Sequence, residues 1–260
     1  MSTAMTPEHT APAAVPLLED VGRVPFHRLT RIELRKSVDT RAGLWLLVAM
    51  SAMSLVVVTV FAIWGPDGGK GYDTFLGLTS MPLMFLLPIV GIMSATQEWS
   101  TRTGLVTFTL EPRRGRVVAA KLVASVVLGL VVTAAALAAA ALATVMTGGE
   151  WTLAGISVVG LVATFVIFVL QGCGFGLAFL NTPFAIVASL VLPTLWTIAS
   201  VLVASLEDVA PWLDLGRTTG PLMSGTISGE EWTQLATSSL LWVLLPIAVG
   251  TWRVLTREVK

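Results

Sequence analysis

The chain has 260 residues, of which 55% are apolar and 12% charged, with a net charge of zero and a mean hydropathy of +0.83. Ordinary soluble chains carry about 25% charged residues, so this composition excludes a soluble globular domain. Apolar runs of about twenty residues call instead for an all-α polytopic membrane protein. The single cysteine, Cys173, excludes an intrachain disulfide and leaves nothing for a thiolate metal centre.

Residues 1–23 are rich in Pro, Ala and Thr and lack the basic region and apolar core of a signal peptide, so a disordered tail is expected there. Residues 24–42 set Phe26, Leu29, Ile32, Leu34 and Val38 among Arg28, Arg31, Arg35, Lys36 and Arg41. That mixture reads as an amphipathic helix lying in the membrane interface, or as a solvated basic linker. The first span is expected over 43–64, bracketed by Trp45 and Trp64, roughly 28 Å apart at 1.5 Å per residue. The turn that follows, GPDGGKGYD, resembles a phosphate loop only superficially, because Gly71 stands where Ser or Thr would hold magnesium. The second span, 74–97, carries Pro82 and Pro88, which should kink or open it.

The segment 98–116, EWSTRTGLVTFTLEPRRGR, is the longest polar interruption in the N-terminal half. Glu98 and Arg102 stand four apart, the favourable order for a helical ion pair. Leu105, Val106, Phe108 and Leu110 then form an apolar patch ahead of Glu111, Arg113 and Arg114. A short helix with apolar knobs and a charged rim suits docking of a soluble partner; a solvated loop whose arginines only set topology fits the same composition.

Four further spans are expected at 117–147, 153–180, 184–206 and 235–252, with a longer acidic loop at 207–234. The third is alanine-rich, and Gly172 and Gly176 in the fourth form a small-xxx-small pair where another helix should pack. Six spans put both termini and the 98–116 loop on one side. Fourteen of the sixteen Lys and Arg fall there, leaving Lys70 and Arg217 opposite. By the positive-inside rule, both termini are cytoplasmic.

No His lies beyond His27 and no Asp lies within a span, so intramembrane serine or aspartyl protease chemistry lacks its residues. Clusters with metal-ligand spacing are missing as well. Proton coupling needs an ionisable group at depth, and every Asp and Glu lies outside a span or at its end. Sodium coupling through broken helices stays open.

The loop pattern E-W-S-x-R-T-x-x-x-T-F-x-L-E-P-R-R-x-R-V-x-x-A-K, with the basic N-terminal segment and six spans, resembles the membrane subunit of bacterial type-2 ABC transporters. The resemblance covers roughly residues 23–252. It implies a permease domain over 43–255 in the bacterial plasma membrane, and a coupling helix at 98–116 seated on a separate cytoplasmic ABC ATPase present in two copies. Glu98, Arg102, Phe108, Glu111, Arg113 and Arg114 are the residues implied for that contact. A second permease subunit, identical or not, is implied, with the pathway lined mainly by spans two and five. On that reading Met81, Met84, Phe85, Phe184, Trp196 and Thr197 are candidate pathway residues, though ordinary packing accounts for each equally well. No Walker motif occurs, so ATP and magnesium belong on the partner, this chain binds no cofactor and is no enzyme, and no nucleic-acid role is expected. The expected cargo is an amphipathic or lipophilic small molecule, and the expected activity is export. A sodium-coupled carrier and a non-transporting scaffold within an ABC assembly remain as alternatives.

Overall fold

A computed structural model describes residues 24–257; the expected disordered tail at 1–23 lies outside them. Among the described residues all regular structure is helical: α1 Phe26–Asp39, α2 Arg41–Trp64, α3 Tyr72–Ser100, α4 Gly104–Leu110, α5 Arg114–Thr147, α6 Val158–Phe179, α7 Thr182–Leu202, α8 Ala210–Leu213, α9 Leu215–Ser224, α10 Gly229–Ser239 and α11 Leu245–Thr256. Six helices are long and apolar enough to cross a membrane: α2, α3, α5, α6, α7 and the continuous run Gly229–Thr256 formed by α10 and α11. The chain is a multi-pass membrane protein.

The spans run longer than expected at polar ends and shorter at glycine-bearing ones. α3 reaches Ser100 and α5 starts at Arg114, because polar residues continue a helix once it leaves the hydrocarbon. α6 begins only at Val158: Gly155 takes φ +72°, and the Ser157 hydroxyl then accepts from Gly160 N at 3.2 Å to cap the helix. α7 ends at Leu202, before a 3₁₀ turn at Ala204–Leu206. The acidic loop at 207–234 is itself largely helical, holding α8, α9 and the start of α10. A capping box between Ser228 and Glu231 starts α10 six residues ahead of the expected sixth span. Between α10 and α11 the chain widens into a π turn at Leu240–Leu244. Pro246 lacks the N–H that would bond to Trp242, and the wider turn accommodates that loss.

Pro82 and Pro88 do not interrupt α3, which is helical through both. They are buried against neighbouring helices, where protein shields the freed backbone groups. α3 and α6 form the most extensive helix pair of the bundle, and glycine makes it. A Cβ on Gly172 would stand 1.8 Å from the Pro88 carbonyl oxygen, and one on Gly91 would stand 2.1 Å from that of Val169. Gly176 is somewhat less tight: a Cβ there would stand 2.7 Å from Ala95 Cβ and 2.9 Å from the Ile92 carbonyl oxygen. The small-xxx-small pair is therefore a true contact site, and dispersion between close backbones holds it. α5 adds a stripe of Ala136, Ala140 and Ala143 to the same core, around Phe75, Leu76, Leu87, Leu161 and Phe165.

The bundle has two dissimilar ends. α1, the α3–α5 connection, the α6–α7 turn and the end of α11 meet at one, which carries most of the basic side chains: Thr182 Oγ1 lies 2.7 Å from Thr96 Oγ1, and Arg114 donates to Val254 O at 3.0 Å. At the other, Tyr72 N donates to Glu150 O and Ser157 N to Met223 O, packing α9 over the start of α6.

Gly172→Ala is expected to push α3 off α6 and cost about 1–3 kcal/mol, read as a lower Tm for the detergent-purified chain. Gly115→Ala, where a Cβ meets nothing within 4 Å, is expected to raise stability by about 0.4–1 kcal/mol.

Candidate functional site

At the basic end three helices meet around four charges. Lys121, in the second turn of α5, is 4% exposed and points into the bundle. Its ammonium donates to Glu33 Oε2 at 2.6 Å, Glu98 Oε1 at 2.8 Å and the Ser94 carbonyl at 2.9 Å. Three donors thus meet three acceptors. Lys36 closes the ring, donating to Glu33 Oε1 at 2.8 Å and Glu98 Oε1 at 3.1 Å. Two carboxylates and two ammoniums sum to zero, the condition under which buried charge is tolerable. The cluster ties α1 to α3 and α5. Glu98 Oε2 is buried without a hydrogen-bond partner.

The pairing expected between Glu98 and Arg102 is not formed. α3 ends at Ser100 and Arg102 takes φ +56°, so the two residues no longer share a helix face. Glu98, 2% exposed, faces inward to Lys121 rather than outward to a partner. Lys121, within the expected third span, turns its ammonium into the bundle. α1 has also turned a polar face to the protein, with Thr30 and Glu33 buried while Phe26, Ile32 and Val38 stay exposed among arginines.

A second layer lies beside this cluster. Phe108 of α4 packs on Trp99, ring centroids 6.5 Å apart, with the Arg114 guanidinium 5.0 Å above its ring and Arg257 5.4 Å above Trp99. Arg114 also donates to the carbonyls of Val254, at 3.0 Å, and Arg257, at 2.6 Å, capping the end of α11. Glu111, buried, pairs with Arg116 at 2.7 Å, and Arg116 reaches Val24 O at 2.7 Å. Of the six expected docking residues, then, Glu98, Phe108, Glu111 and Arg114 hold the platform together. Only Arg102 and Arg113 stand exposed, with no ion pair among the described residues. The outward face of α4 is apolar: Leu105, Val106 and Leu110 are 53%, 61% and 75% exposed.

The six expected pathway residues do not form one patch. Met81 and Phe85 are exposed on α3 and Met84 is half-buried. Phe184 lies at the opposite end of α7 from Trp196 and Thr197, about 18 Å along the helix, where it packs edge-on against Phe179. Thr197 donates to Asp214 Oδ2 at 2.8 Å, which joins α7 to the cap of α9. The Trp196 ring N–H is buried without a partner.

Sequence reasoning missed Glu33, Lys36 and Lys121. Their signal was present: an acid within the basic stretch RIELRK, and one lysine inside an apolar helix, which must find a countercharge.

Among the described residues no group of three or more His, Cys, Asp or Glu is placed to hold a metal ion. Compared with models of known protein families the chain matches none. No curated protein matches its sequence either.

Lys121→Met is expected to strand two buried carboxylates and destabilise by about 3–5 kcal/mol, whereas Lys121→Met with Glu98→Gln and Glu33→Gln recovers most of the loss. Thermal unfolding followed by size-exclusion chromatography reads both.

Proposed function

We propose that this chain is the membrane-spanning subunit of an ATP-driven exporter of the type-2 ABC class, energised by a separate ATPase that docks on α4 at the cytoplasmic, basic end. The observation that carries this reading is the outward apolar face of α4, Leu105, Val106 and Leu110, rimmed by Arg102 and Arg113. A seven-residue helix with three apolar side chains turned away from its own bundle and from the spans suits a groove on a soluble partner, with the arginines answering acidic groups at that groove's edge. The fourteen-to-two distribution of basic residues supports placing this end in the cytoplasm of a bacterial cell.

The mechanism follows from what is tied to what. Closure of the ATPase pair on ATP and magnesium pushes α4. Phe108, Trp99 and Arg114 carry the push into α3 and α11, and Lys121 and Glu98 carry it through α5 into α1. α3 and α7 touch through the Thr96–Thr182–Ser100 hydroxyls at the driven end. Displacement there shifts α7, whose surface is mostly exposed, against α3. A second membrane subunit supplies the opposite wall of the pathway, and the exposed Met81 and Phe85 face a lipophilic cargo.

Val106→Asp with Leu110→Asp is expected to abolish co-purification with the ATPase while leaving Tm unchanged, since neither side chain is buried. Arg102→Gly with Arg113→Gln is expected to retain association but flatten its salt dependence; glycine keeps the left-handed turn. Cargo export by the purified chain alone, without nucleotide, refutes the proposal.

A further inference from the structure

α1 has two unlike faces. Thr30 and Glu33 are buried against the bundle, while Arg28, Arg31 and Arg35 are exposed on the opposite side. At about 100° per residue these three arginines fall within about 60° of arc, a row about 10 Å long. Ile32 and Val38, each 41% exposed, flank it. Arg28 and Arg31 make no ion pair among the described residues, and Arg35 meets only Asp39, at 2.8 Å and in the open. The other carboxylate of α1, Glu33, is taken up by Lys121 and Lys36. The row therefore keeps its positive charge.

Its neighbours fix its level. Thr40 alone separates α1 from the span α2, which opens on the exposed Arg41. The middle of α1 is tied to span ends, through Glu33 to Lys121 in the second turn of α5 and through the Lys36 carbonyl to Gln97 in the last turn of α3. Trp45, 68% exposed, stands about 6 Å along α2 from Arg41, and Trp252, 64% exposed, lies near the same end of the bundle. Exposed tryptophans of a membrane protein settle at headgroup level. Guanidiniums beside apolar side chains at that level match a phosphate and the first carbons beneath it.

We propose that the outer face of α1 binds the headgroups of anionic phospholipids, with Arg28, Arg31 and Arg35 on the phosphates and Ile32 and Val38 against the glycerol and first acyl carbons. An arginine near an anionic surface favours it about fivefold. Headgroups on one face and the ion ring on the other then hold the same helix. The inference concerns the bilayer alone, and needs neither the ATPase nor a particular orientation of the chain.

The test places the full chain, without ATPase or nucleotide, in nanodiscs of phosphatidylcholine and phosphatidylglycerol, with a photoreactive group beside the phosphate of one lipid or the other. Mass spectrometry locates the adducts. Phosphatidylglycerol is expected to label α1 at least tenfold more than phosphatidylcholine does. Arg28→Gln with Arg31→Gln should cut that preference to threefold or less at unchanged Tm, since both side chains are exposed, and Arg28→Lys with Arg31→Lys should keep most of it. Arg102→Gly with Arg113→Gln, which removes the same charge from around α4, should leave α1 labelling as it was. Equal labelling by the two lipids, equal loss in the α4 variant, or equal competition by soluble glycerol phosphate overturns the site. Capture of a soluble acidic protein that the Arg28→Gln, Arg31→Gln chain loses, with no lipid preference, gives the face to a protein partner and overturns it too.

Discussion

The ion ring of Glu33, Glu98 and Lys121, all buried, closed by the partly exposed Lys36, is the constraint on which the rest of this molecule depends. Three ionisable groups taken out of water are costly singly and acceptable only when paired. The set draws on α1, α3 and α5: loss of α3 or α5 strands one net charge, whereas α1 carries the neutral Glu33–Lys36 pair and adds a second carboxylate to Lys121. α1 is thereby made a structural member of the bundle. Its basic and apolar outer face is exposed, while its inner face, with Thr30 and Glu33, is spent on the bundle.

Packing differs sharply across the bundle. Where Gly91 meets Val169 and Gly172 meets Pro88, backbones touch, and that core has little freedom to slide. α2 and α7 by contrast bury only a small part of their surface within the chain. α7 is held at one end by hydroxyl contacts to α3 and at the other by Thr197 on Asp214. The bundle thus has a closely packed centre in α3 and α6 and loosely covered flanking helices in α2 and α7.

Much of this was legible in the residues. Six spans follow from apolar length alone, and the Trp45–Trp64 bracket placed α2 almost to the residue. The glycine pair in α6 marked a helix contact without naming the partner, which is α3. Boundaries slipped where local chemistry outranked hydropathy: the capping box at Ser228 starts a helix inside a loop of acidic composition, and Gly155 delays α6. The Glu98–Arg102 pairing failed for a reason periodicity cannot supply, a left-handed residue that ends the helix between them. Above all, composition assigned every charge near the 98–116 segment to a surface. Which face of α5 carries Lys121 is decided by the register of α5 against α3, a tertiary fact. The acidic residue in RIELRK was the clue that α1 had a partner to neutralise.

The most direct measurement replaces Leu110 with a photocrosslinking phenylalanine analogue in intact cells and identifies the adduct by mass spectrometry. The account predicts one dominant adduct, a cytoplasmic protein carrying a nucleotide-binding motif, formed from Leu110 and not from Trp151 at the opposite end of the bundle. An adduct with an extracytoplasmic protein at Leu110, or with lipid alone, contradicts it.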